Sequence, residues 1–289
     1  MSNLQYPGLY AAADQASNDA LRNELRCYKT NAYLLVVGAS LALVSTVTTP
    51  IAIISAIFFI ASLGSYLYSQ HKDFKGRWYQ ARALAESIKT STWRLVMGAD
   101  PFSAETTSDN IRRYRQLLSE LLKENSVLGD FLATDAALEN QLPSNLEALI
   151  EMPYAEKRDF YLESRINEQK TWYTNKAKEN RTKAFRYLLA IAAAYSIAII
   201  LLLVRIGYPD LPLLPIDVFA VVASSLIGWK QLRRFDELSS SYGLTAHEVG
   251  IIGSKFSEVS SQEELSDFVS DAENAFSREH TQWAARRDH

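Results

Sequence analysis

TNAYLLVVGASLALVSTVTTPIAIISAIFFIASLGSYLYSQ, residues 30–70, holds 41 consecutive positions without an Asp, Glu, Lys, Arg or His. As one helix it would run about 60 Å at ~1.5 Å per residue, roughly twice the ~30 Å hydrocarbon thickness of a bilayer. The stretch must therefore cross twice. Thr48-Thr49-Pro50 lies near its middle, where a proline ends one helix and opens the next. The expected spans are Ala32–Thr48 and Ile51–Tyr68. A buried helix pair in a soluble protein is the bland alternative, and so long an uncharged run argues against it.

A second hairpin follows the same plan. Tyr187–Val204 is free of charge, the proline-rich GYPDLPLLP (207–215) forms a turn, and Ile216–Trp229 is apolar apart from Asp217. Asp217 reads as a helix N-cap at the membrane interface rather than an ion site. Orientation follows from the basic residues, since cytoplasmic loops carry the excess of Lys and Arg. Arg22, Arg26, Lys29, Lys72, Lys75, Arg77 and Arg82 flank the first hairpin; Lys176, Lys178, Arg181, Lys183, Arg186, Lys230, Arg233 and Arg234 flank the second. The hairpin tips hold only Arg205. The expected fold is an all-α membrane protein with two transmembrane hairpins, four spans, long cytoplasmic helices and both termini in the cytoplasm.

Composition narrows the function classes. A net charge of −3 supplies no global basic field for bulk nucleic acid. One cysteine, Cys27, allows no intrachain disulfide, and one Cys with four His offers no zinc spacing. Residues 1–29 lack a signal-peptide pattern, so the first apolar run reads as an anchor.

The rest of the chain is helical in period, with almost no strand signal. Arg77–Gly98 reads as a helix ended by its glycine, with Pro101-Phe102 at the turn beyond. Asp109–Leu132 is an amphipathic helix with Leu117, Leu118, Leu121 and Leu122 on its apolar side. Ala155–Arg186 is expected to run straight into the third span. Lys230–Tyr242 continues the fourth until Gly243, a C-cap, after which Thr245 and Ser261 begin two further helices as capping boxes with Glu248 and Glu264. The expected divisions are an N-terminal helix (1–30), a first hairpin unit (31–102), a helical linker (103–153) and a second hairpin unit (154–289).

No phosphate loop, HExxH or nucleophile elbow appears, and 11 glycines leave few places for one, so no catalysis, cofactor or metal is expected. The spans instead carry small and hydroxylated residues three or four apart: Gly38, Ala42 and Ser45; Ala61 and Ser65; Ala220, Ser224 and Gly228. Such faces allow close helix packing, within one chain or between subunits. Ser40, Ser45, Thr48 and Thr49 are candidate pore-lining residues, and four spans enclose an aqueous pore only by oligomerising.

One cytoplasmic stripe stands out. Arg82, Glu86, Lys89 and Trp93, spaced 4-3-4, share a helix face. The pattern suits an inter-subunit ion network, an anionic ligand whose base stacks on Trp93, or solvated surface. Arg112, Arg113 and Arg115 form a second candidate anion site, although charge runs usually face water.

Arg82-Ala-Leu-Ala-Glu-Ser-Ile-Lys-Thr-Ser-Thr-Trp93 and Met97-Gly-Ala-Asp-Pro-Phe102 resemble the segment after the membrane hairpin in one branch of the SLATT domains. Those are two-helix membrane effectors associated with bacterial nucleotide signalling. Tyr161-Leu-Glu-Ser-Arg-Ile-Asn-Glu-Gln-Lys-Thr-Trp-Tyr173, Tyr242-Gly-Leu-Thr-Ala-His-Glu248 and Ala272-Glu-Asn-Ala-Phe-Ser-Arg-Glu-His-Thr-Gln-Trp283 resemble another branch. The resemblance implies a tandem SLATT protein, an effector of anti-phage systems in the bacterial inner membrane. The implied signal is a cyclic or linear oligonucleotide made by a nucleotidyltransferase; the other expected partners are the lipid bilayer, from the hydropathy, and further copies of the chain, for which symmetry makes dimers and tetramers the reasonable orders, a tetramer preferred. The expected function is a nucleotide-regulated pore that dissipates the membrane potential. A membrane-anchored scaffold that recruits a soluble partner is the alternative.

Overall fold

The computed structural model describes residues 4–45, 48–103, 106–143, 145–211 and 213–285, apart from the side chains at 45 and 277–285. Among the described residues all regular structure is helical. The helices are α1 (Gly8–Ser45), α2 (Thr49–Lys72), α3 (Phe74–Met97), α4 (Thr107–Glu124), α5 (Leu146–Ile150), α6 (Tyr154–Tyr161), α7 (Glu168–Gly207), α8 (Ile216–Arg233), α9 (Phe235–Lys255) and α10 (Gln262–Ala285). A π-helical segment, Leu162–Asn167, joins α6 to α7.

Three helical runs, Gly8–Val44, Thr49–Met97 and Tyr154–Gly207, are long and apolar enough to cross a membrane. Only 11% of each apolar window is buried within the chain, so the remaining apolar surface needs lipid or further protein to cover it. α8 falls short of the same measure, because Asp217, Lys230 and Arg233 leave it a short uncharged core. Asp217 is not the N-cap: Pro215 holds that position and Asp217 sits in the first turn, where an acid complements the helix dipole. The expected continuity of the third apolar stretch with the charged helix before it is present, since Tyr154–Gly207 runs as one helical stretch of 54 residues.

Contacts gather the chain into two units, and each draws on both halves of the sequence. One comprises Arg22–Phe74 and Asn175–Tyr242; the other comprises Met1–Leu21, Lys75–Thr174 and Gly243–His289.

In the first unit, hydroxyls join helices where apolar contact alone is weakly directional. Ser55, Ser62, Ser65 and Ser69 fall on one face of α2 and all bond to α1. The Ser55 hydroxyl donates to the Gly38 carbonyl at 2.9 Å, Ser62 to the Asn31 side-chain oxygen, Ser65 to the Cys27 carbonyl at 3.4 Å and Ser69 to Glu24 at 3.0 Å. A Cβ at Gly38 would stand 3.3 Å from the Phe59 ring, so the glycine lets the ring approach. Tyr28 reaches α8 in the same way. Its hydroxyl donates to the Ser225 carbonyl at 2.8 Å and presses against the Cα of Gly228, where a side chain would collide with it. Lys29 lies 5.2 Å from the centre of the Trp229 ring. The small residues Gly38, Ser65 and Gly228 are thus used inside one chain. Ser62→Val should weaken the α1–α2 hairpin by roughly 0.6–2 kcal/mol, read as a lower denaturant midpoint in mixed micelles.

The second unit owes its edges to local chemistry. α3 ends as its sequence predicts: Gly98 takes φ +69°, and its carbonyl accepts from Ser266 at 3.0 Å while that of Met97 accepts from Gln262 at 2.9 Å. Gly98→Ala forces a Cβ into the left-handed region and should cost about 1–2 kcal/mol, measured by thermal unfolding. α4 is shorter than the leucine pattern predicts. It stops at Glu124, where the Asn125 side chain donates to the Leu121 carbonyl at 2.9 Å and the chain turns into a 3-10 segment. Its buried face is Ile111, Tyr114 and Leu118, while Leu122 is exposed.

Gly243 does not cap a helix: α9 runs through it, and Thr245 is buried mid-helix rather than starting a new one. The break comes earlier, at Arg234, whose φ of +48° separates α8 from α9. The Ser261 cap is present, with its hydroxyl accepting from the Glu264 amide at 3.2 Å. The Glu264 carboxylate reaches one residue further back than a capping box requires, to the amide and hydroxyl of Ser260.

Candidate functional site

The second unit is built around a buried ion pair that periodicity does not reveal. The π-helical turn Leu162–Asn167 carries an extra residue per turn and directs Arg165 and Ile166 into the interior together. Arg165 is 2% exposed and meets Glu273 of α10, which is 0% exposed. The contact is a two-pronged fork, Nε to Oε1 at 2.7 Å and Nη2 to Oε2 at 2.6 Å. The Tyr161 hydroxyl donates to Oε1 at 3.0 Å. The guanidinium also lies 4.8 Å from the Phe276 ring and 6.0 Å from that of Trp93. Burial opposes the charge on Arg165, but the Glu273 carboxylate outweighs it and raises the arginine above its ordinary value. Burial, reinforced by the Glu273 charge, holds the Tyr161 phenol well above its ordinary value.

The α3 stripe packs against this pair. Arg82, Glu86, Lys89 and Trp93 share a face as their spacing predicts. Arg82 bonds to Glu86 at 2.5 Å and to Asp14 of α1 at 3.3 Å. Burial and then the nearby Arg165 charge lower the Lys89 ammonium, with Glu86 pulling the other way. Trp93 corrects the expectation of a stacking platform. It is 2% exposed, Phe160 and Tyr161 each lie 5.5 Å from its ring, and its Nε1–H donates to the Tyr6 hydroxyl at 3.0 Å. No face of the indole remains for a nucleobase. Arg82 and Glu86 of the stripe are paired with each other, and Arg82 also with Asp14, inside the chain.

Tyr6 leads from this cluster to the surface. Its ring and that of Tyr10, with centres 4.5 Å apart, line an open groove of about 510 Å³ together with Gln5, Glu139, Asn140 and Pro143. Burial pushes the Tyr6 phenol up against the opposing pull of Arg165 and the Trp93 hydrogen bond. The adjoining start of α1 is tied to the 140–141 loop, since the Leu9 amide donates to the Gln141 side chain at 3.0 Å.

The other sequence candidates lie elsewhere. Arg112, Arg113 and Arg115 are exposed on α4; Arg112 pairs with Asp109, and Arg113 donates to the Pro101 carbonyl at 3.1 Å. Ser40 is exposed and donates to the Val36 carbonyl of its own helix at 2.8 Å. Thr48 and Thr49 are exposed at the start of α2, and the Ser45 side chain lies outside the described residues. Sequence reasoning missed Tyr6, Arg165 and Glu273. The signal for the last two was their place in the motifs Tyr161–Tyr173 and Ala272–Trp283, which the fold brings together.

Exposed apolar helices and an ion-locked helical remainder define the class as an all-helical membrane protein. The chain belongs to the SLATT effector families, with two different domains in tandem: residues 7–158 match the SMODS and SLOG-associating 2TM effector domain 3, and residues 161–283 match domain 1 of that series. The junction falls at the end of α6, immediately before the π segment. No curated protein and no solved structure matches the chain.

Proposed function

We propose that this protein is a nucleotide-regulated, oligomeric pore of the bacterial inner membrane that acts as the effector of an anti-phage defence system. The observation that carries the reading is the pairing of two SLATT effector domains with apolar helices left almost uncovered by the chain itself. Both hairpins enter from the cytoplasm, so α8 completes a fourth span and both termini stay inside, as the basic flanks require. Oligomerisation supplies the cover and the pore, with Ser40, Thr48 and Thr49 the exposed hydroxyls available to line it; a tetramer is preferred.

The oligonucleotide signal acts on the cytoplasmic unit. Stacking falls to Tyr6 and Tyr10, with Trp93 and the Arg82–Glu86–Lys89 stripe behind them, and Arg112, Arg113 and Arg115 are the exposed cations available to its phosphates. Single-channel recording of the purified protein in bilayers, with and without cyclic and linear oligonucleotides, tests the reading. Stepwise currents that change with one of them are expected; no current under any ligand sinks it.

A scaffold reading is favoured by one observation: the α2 serines spend their hydroxyls inside the hairpin. Under that reading Ser40→Leu leaves cellular protection intact, whereas a pore loses or alters its conductance.

A further inference from the structure

At the end of α8 a cavity of about 350 Å³ has a mostly apolar lining with a charged rim. Leu188 and Ile191 of α7 and Ile227 of α8 form the apolar part; Lys230, Arg234, Asp236 and Glu237 supply the charge. The left-handed Arg234 makes this possible. By ending α8 with φ +48°, it turns the chain so that the last cations of α8 and the first acids of α9 face one space. The charges are balanced, with Lys230 2.5 Å from Asp236 and Arg234 Nε 2.7 Å from Glu237.

We infer that this cavity is a site for a membrane phospholipid with a phosphoethanolamine headgroup. The inference rests on the chain being a membrane protein and not on its forming a pore. The volume suits a small polar group with the start of one acyl chain. Lys230 and Arg234 meet the phosphate as charge-assisted donors, and Asp236 and Glu237 accept from the primary ammonium, which has three N–H groups to give. The acyl chain follows Leu188, Ile191 and Ile227. A choline headgroup has no N–H for the two acids. A glycerol headgroup brings no cation, so the acids repel its lipid's net negative charge. The two cations alone would suit any anionic lipid; the two acids narrow the choice.

Native mass spectrometry of the full chain in detergent, titrated with ethanolamine, choline and glycerol phospholipids of identical acyl chains, tests this. The ethanolamine lipid should bind roughly tenfold more tightly than the other two, a difference of about 1.4 kcal/mol. Asp236→Asn with Glu237→Gln should erase the preference over choline and improve the glycerol lipid. Lys230→Gln with Arg234→Asn should weaken all three; Asn is chosen because it tolerates a positive φ. If the double acid variant loses its helical circular dichroism, the exposed Asp236→Asn alone carries the test. Equal binding of the three lipids, tighter binding of the glycerol lipid, or a preference that survives removal of the acids overturns the inference.

Discussion

Glu273→Gln should destabilise the protein by about 3–5 kcal/mol, the cost of leaving a buried arginine without its counter-charge. The change is nearly isosteric, so packing is preserved while one prong of the fork and the negative charge are lost. Arg165 cannot shed its proton to relieve the loss. Tyr161 would keep an acceptor. The double variant Arg165→Met/Glu273→Leu should recover part of the loss, because two apolar side chains of similar volume need no desolvation of ions, less the cost of leaving the buried Tyr161 hydroxyl without its acceptor. Thermal or denaturant unfolding in mild detergent reads both results. A Glu273→Gln loss under about 0.5 kcal/mol, or a double variant as unstable as the sum of its parts, would show that the pair is not what holds α10 to the π turn.

Trp93→Ala should cost about 3–5 kcal/mol, since it empties a fully enclosed ring site. Trp93→Phe keeps most of the packing and loses the Nε1–H bond to Tyr6, for about 1 kcal/mol. The difference separates cavity from hydrogen bond. The burial of Trp93 also changes what its variants report. Their expression and midpoint should fall in parallel with any response to oligonucleotide, as a structural residue requires. Tyr10→Ala, at the groove, should instead alter the oligonucleotide response with the midpoint changed by less than about 1 kcal/mol. A Trp93→Ala protein of unchanged stability with a lost response would return the indole to a ligand-contacting role.

The membrane-crossing character was legible because it needs only local information. An uncharged run of 41 residues with a central Thr-Thr-Pro states its environment whatever it packs against. The end of α3 was legible for the same reason, since Gly98 favours the left-handed turn on its own account. Gly243 and Leu122 show where local rules fail. A glycine only permits a helix to stop, and α9 continues through Gly243. The leucine pattern could not show that Asn125 ends α4 short of it.

The charged residues divide along the same line. The stripe Arg82–Trp93 was visible as a helix face, because 4-3-4 spacing is a property of one helix. What that face meets was not, because Arg165 and Glu273 are 108 positions apart and pair only when the π turn and α10 are brought together. The sequence by itself determined an all-helical membrane chain with two SLATT domains in tandem, since hydropathy, caps and motifs act over a few residues. Tertiary structure alone decided that Trp93 is enclosed, that the α2 serines bond to α1, and that Arg165 is paired in the interior. Burial and pairing are relations between distant segments, and only the folded chain sets the low-dielectric surroundings that make them costly to break.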